Sequence, residues 1–171
     1  MGSITKAVHD IGLATWFGGT LMGVIAMNPA VEVLDDPEER GKMVDEGWAR
    51  FQPWAAAGLT ATIVTHVLMR RNPPRRPSDN FKNTARLKDL FLVASVVSSV
   101  ASMALGEYAV HQEPDAYTPI ESATTPTEDT PPETEAAQGG LTVASWGQLI
   151  SGIGLFVTSA ILAAEREKKI I

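Results

Sequence analysis

The chain has no cysteine and only three histidines, His9, His66 and His111, in 171 residues. The first absence excludes a disulfide framework, a thiolate metal site and a catalytic thiol. No nucleophile–base set, H-E-x-x-H run or glycine-rich phosphate loop after a strand is present, so the sequence does not read as an enzyme. The most informative absence is that of charge. Asp, Glu, Lys and Arg are missing altogether from Ile11 to Val31, Phe51 to Met69, Leu90 to Gly106 and Leu141 to Ala164. The overall composition, 44% hydrophobic and 20% charged, hides this segregation.

Each run is close to the roughly 20 residues a helix needs to cross a hydrocarbon core. A backbone in lipid must satisfy its own hydrogen bonds, which makes the runs helices. Their small residues, with no polar alternation, exclude a β-barrel. The expected fold is therefore all-α: a four-helix transmembrane bundle in a single domain over 1–171, with spans at about 8–28, 52–70, 88–108 and 142–164. The first run is not read as a cleaved leader, because it is long, rich in glycine and has no clear small-x-small cleavage site.

Charge orients the bundle. Seven of the 14 basic residues lie between the second and third runs, and Lys6, Arg166, Lys168 and Lys169 flank the first and fourth. The positive-inside rule puts both termini and the middle loop in the cytoplasm. The other two connections are acidic. The first carries Asp36-Pro37-Glu38-Glu39, an N-cap followed by a favourable first helical position and two dipole-compatible carboxylates. This predicts a short amphipathic helix from Pro37 towards Trp48, lying at the outer interface. Asn28-Pro29 is expected to end the first span, and Pro53 to kink the entry to the second. Residues 112–140, rich in Pro, Thr and Glu, read as a disordered acidic outer loop.

Small residues recur along helix faces. Gly19 and Gly23 form a G-x-x-x-G pair. Ser95, Ser99, Ser102 and Gly106 follow one another at spacings of four, three and four, as do Gly147, Ser151, Gly154 and Thr158. These are helix-packing stripes, with hydroxyls bonding across a seam or back to their own carbonyls. Arg70, Arg71, Arg75 and Arg76 stand beside Pro73, Pro74 and Pro77, a basic, non-helical stretch suited to anionic lipid headgroups. The positive-inside rule already explains that charge, so a nucleic-acid partner is not inferred.

Ionisable residues at membrane depth are functional candidates. His9 and Asp10 open the first span, and His66 stands four residues before Arg70 near the same side. Two imidazoles on neighbouring helices are the minimal axial set for haem b. Glu107 and His111, four apart, share one helix face and form a candidate proton or metal pair.

His9 to Gly23, with the element Trp16-Phe17-Gly18-Gly19, resembles a group of small actinobacterial membrane proteins, as do Asp36 to Gly41 and Glu46 to Phe51. The resemblance covers the first third to half of the chain. It implies a bacterial plasma membrane and a four-span fold, and carries no activity or catalytic residue. The same Trp-Phe-Gly-Gly element is faintly similar to copper-resistance membrane proteins, but the histidines and methionines of a copper path are missing. The sequence alone thus favours an accessory or structural subunit, partnered by lipids and by other membrane subunits or further copies of itself. Its alternatives are a haem-b electron carrier using His9 and His66 and a small-solute or ion transporter. No cofactor is required by the leading reading.

Overall fold

The computed structural model describes residues 3–74, 77–110 and 117–167. Helix dominates: α1 (Ser3–Met22), α2 (Asn28–Ala30), α3 (Pro37–Arg70), α4 (Asp79–Val110) and α5 (Pro132–Glu167), with a small hairpin of β1 (Ile120–Ser122) and β2 (Thr125–Pro126) before α5. Among the described residues, three helical segments are long and apolar enough to cross a membrane: Ser3–Val33, Asp79–Ala109 and Pro132–Arg166. That is the signature of a membrane protein.

The segment that falls short is α3. At 34 residues it is about 51 Å long, but its uncharged stretch carries Gln52, Pro53, three threonines and His66. Several of these turn inward, with Thr62, Thr65 and His66 all buried. Thr62 and Thr65 donate to the carbonyls of Gly58 and Ala61, so their hydroxyls are satisfied within the helix.

The helices run past the boundaries expected of them. Asn28-Pro29 does not end the first helix. A π-helical turn at Gly23–Met27 leads into α2 and a 3₁₀ turn at Val31–Val33. The Asn28 N–H reaches back to the Gly23 carbonyl, and this wider turn accommodates the proline ring that would otherwise strike the carbonyl four residues earlier. Asp36 caps α3 as expected, accepting from the Glu38 N–H at 2.9 Å. The helix it opens is continuous through Pro53 to Arg70, so the segments expected as a separate amphipathic helix and a second span form one element. Ser78 accepts from the Phe81 N–H at 3.1 Å and caps α4.

Residues 112–140 were expected to be a flexible loop; residues 117–140 instead hold the hairpin and the first turns of α5. Thr130 and Gln138 organise this segment by donating to the Pro119 and Ser122 carbonyls. Arg40 ties it to α3 through a 2.6 Å ion pair with Glu121. Polar bonds within the segment and to α3 thus replace the apolar core that the composition lacks.

Two antiparallel pairs make up the bundle. Where α1 and α3 cross, a Cβ on Gly12 would lie 2.7 Å from the Gly58 carbonyl oxygen. Further along, the Phe51 ring covers Gly19 and the Trp48 ring covers Gly23, so the G-x-x-x-G pair receives aromatic side chains of α3. In the α4–α5 pair, Gly147 faces Ser98, Gly154 faces the Phe91 ring, and the Ser95 and Ser151 hydroxyls bond at 2.9 Å. The two pairs meet over a small apolar core of Leu13, Trp16, Leu92 and Leu155. Phe17 reinforces it, edge-on to Phe156 with ring centroids 5.5 Å apart.

Candidate functional site

The four helices place the start of α1, the end of α3, the start of α4 and the end of α5 together. At this terminal end lies a cavity of about 380 Å³ lined by Lys6, His9, Asp10, His66, Arg70 and Lys88, with Ser159 and Arg166 closing it from α5. His9 and His66, singled out in the sequence, do therefore line one space. What joins them is a set of charges: Lys6, Asp10, Arg70, Lys88 and Asp89.

His9 is 1% exposed and Lys88 4%. Lys88 Nζ lies 3.0 Å from His9 Nε2. A lysine ammonium only donates, so Nε2 accepts and the imidazole proton sits on Nδ1. That nitrogen faces Asp10 Oδ1 at 3.3 Å, and Asp10 also receives Lys6. The result is a chain Lys6–Asp10–His9–Lys88 running from the exposed rim to the interior. A second chain lies across the cavity. His66 Nε2 donates to Asp89 Oδ1 at 2.7 Å, and Arg70 holds the same carboxylate at 2.8 and 3.0 Å. Arg70, expected at a lipid headgroup, is thus committed to Asp89. Arg71 is exposed at the C-cap of α3, while Arg75 and Arg76 lie outside the described residues.

In this arrangement neither imidazole offers an unengaged Nε2 to an iron, because Lys88 occupies one and Asp89 the other. Of the other candidate pair, His111 lies outside the described residues and Glu107 lines a different cavity.

That second cavity, about 440 Å³, lies at the opposite, hairpin end of the bundle. The serine stripe of α4 connects it to the core. Trp16 Nε1 donates to Ser99 at 3.1 Å, and Gln148 Nε2 donates to Ser102 at 2.7 Å. Gly106 borders the space, and a Cβ there would meet nothing within 4 Å. The two cavities are separated by the Leu13–Trp16–Leu92–Leu155 layer, flanked by the Ser95–Ser151 bond. From Lys88 to Ser99 the rise along α4 is about 16 Å.

Sequence reasoning missed Lys88, Asp89, Gln138 and Gln148. Lys88 was within reach: Lys88, Leu92, Ser95, Ser99 and Ser102 form one stripe, which the reading began at Ser95. Gln138 and Gln148 show no pattern of their own, and their roles depend on the register of α5 against α4.

Compared with known protein families, curated proteins and solved structures, the chain matches none.

Proposed function

We propose that the protein is a four-span bacterial plasma-membrane protein, with both termini in the cytoplasm, that moves a small solute or ion with proton coupling. The observation that carries this reading is the Asp10–His9–Lys88 chain, which leads from a half-exposed carboxylate to a buried imidazole and lysine at one cavity, with an apolar layer between it and a second cavity. Positive-inside charge places the terminal-end cavity on the cytoplasmic side and the hairpin-end cavity outside. The fourth crossing is α3, whose polar residues turn into the bundle.

The energetics favour transport over a purely structural subunit. Burying a lysine ammonium costs several kcal/mol unless partners compensate. Apolar residues of similar volume would hold a scaffold together as well or better. Ionisable groups kept at membrane depth mark ion and proton pathways. The imidazole between Asp10 and Lys88 has the form of a relay: one ring nitrogen accepts while the other donates.

Purified protein in proteoliposomes containing a pH-sensitive dye tests the proposal. Under an imposed potassium diffusion potential, wild type should change internal pH faster than protein-free vesicles. Lys88→Met and His9→Leu, checked for helicity and monodispersity, should return the rate to that of empty vesicles. A wild-type rate equal to that of empty vesicles, or a Lys88→Met rate equal to wild type, would overturn the reading.

A further inference from the structure

Asn28, just beyond the π-helical turn, is 5% exposed and lines the hairpin-end cavity. Its Oδ1 accepts from Trp48 Nε1 at 2.9 Å. An indole nitrogen only donates, so the atom it meets is the oxygen and the amide cannot be turned to exchange its ends. That leaves Nδ2, with two N–H groups, without an acceptor among the described residues. The described side-chain atoms that are both unpartnered and sealed from contact are Thr134 Oγ1, Gln138 Oε1 and Ser159 Oγ. Asn28 Nδ2 is not one of them, so it keeps surface that a ligand in the cavity can reach. A buried donor held in this way bears its desolvation cost until an acceptor meets it.

The cavity itself is long and narrow. Its α3 wall alone reaches from Gly41 to Leu59, about 27 Å of helix rise, for a volume of about 440 Å³. Such a shape suits an extended chain better than a compact ring. Val44, Phe51, Ala55 and Leu59 make that wall largely apolar. Deeper in, polar groups turn to one another, Trp16 to Ser99 and Gln148 to Ser102. Ala56 of α3 and Met103 of α4 border the space and are themselves exposed, so it opens sideways between the two helices. The described lining holds no Lys, Arg or His, so an anionic head would find no cation there.

We propose that this channel takes a neutral, single-chain amphiphile from the bilayer, its carbonyl oxygen received by Asn28 Nδ2 and its chain laid along the α3 wall. A carbonyl is the matching head because it accepts and does not donate. A hydrocarbon without one would leave the amide unpaired, and a carboxylate would carry an uncompensated charge out of water. Trp48 is a positioning residue: its indole holds the amide oxygen and so leaves the nitrogen to the ligand. This site stands apart from proton movement, and its test needs no gradient.

The full chain in lipid nanodiscs, with empty nanodiscs as the reference, is titrated with 2-undecanone, with 2-methyl-1-undecene, in which a methylene replaces the carbonyl oxygen, and with dodecanoate. Saturable, one-to-one binding of the ketone is expected, with the alkene and the carboxylate each about ten-fold weaker, the loss of one hydrogen bond. In wild type carrying isotopically labelled asparagine, the Asn28 side-chain amide resonance should shift with the ketone and stay in place with the alkene. Asn28→Leu should bind ketone and alkene equally. Gly106→Leu adds a side chain where a Cβ meets nothing within 4 Å; it should fill the channel and weaken the ketone at least ten-fold without disturbing a packed contact. Gly18→Ala, equally open, should leave binding unchanged. Absence of saturable ketone binding, equal wild-type affinity for ketone and alkene, unaltered ketone affinity in Gly106→Leu, or an Asn28 amide indifferent to the ketone would each overturn the proposal.

Discussion

Replacing Gly12 with Ala should push the first helical pair apart. The added Cβ would lie 2.7 Å from the Gly58 carbonyl oxygen, 3.0 Å from the Ala61 Cβ and 3.1 Å from the Thr62 hydroxyl. The first is backbone and cannot rotate away, so α1 and α3 must separate by several tenths of an ångström. Overpacking of this kind costs about 1–3 kcal/mol. It outweighs the roughly 0.8–1 kcal/mol that Ala gains over Gly in a helix interior, leaving a net loss of up to about 2 kcal/mol. Gly18→Ala is the internal control: it has the same change in propensity and nothing within 4 Å, so it should be neutral or stabilising. Thermal unfolding in one detergent, followed by the circular dichroism of both variants and wild type, measures the difference. Equal midpoints for Gly12→Ala and Gly18→Ala would refute the close crossing of α1 and α3.

Three further outcomes follow from the same contacts. Lys88→Met should destabilise by about 1–3 kcal/mol, because His9 Nε2 is left buried without its donor; the His9→Leu/Lys88→Met double variant should recover much of that loss in an unfolding cycle, and strict additivity would contradict the pair. Arg40→Ala removes the clasp on Glu121 and the Leu34 carbonyl, so limited proteolysis should cut within 117–131 faster, while an unchanged pattern would show that the hairpin does not depend on it. Asp36→Ala removes the α3 cap and should cost about 1 kcal/mol, measured as a lower unfolding midpoint.

The absence of charge made most of the helices legible, because a segment that must satisfy its own backbone in lipid leaves a long uncharged run. Their ends were harder to read. Pro29 and Pro53 look like breaks, yet a π-turn takes up the first. The second withdraws the N–H that would bond the Ala49 carbonyl, at a residue bordering the hairpin-end cavity. The hairpin was hidden because Arg40–Glu121 and Gln138–Ser122 are long-range polar contacts that leave no periodic trace. At the terminal-end site, His9 and His66 stood out as rare residues at membrane depth. Lys88 and Asp89 did not, since charges beside an apolar run serve the positive-inside rule equally well. Only the meeting of the α4–α5 pair with the α1–α3 pair brings Lys88 to His9 and Asp89 to His66.

The Lys88–His9 contact is tested most directly by solid-state nitrogen NMR of histidine- and lysine-labelled protein in lipid bilayers, with His9 assigned through His9→Leu. The expected spectrum shows a neutral His9 ring protonated at Nδ1, an unprotonated Nε2, and a through-space correlation from that Nε2 to Lys88 Nζ. A His9 ring protonated at Nε2, or the absence of that correlation while the protein remains folded, would contradict the buried relay and the transport function built on it.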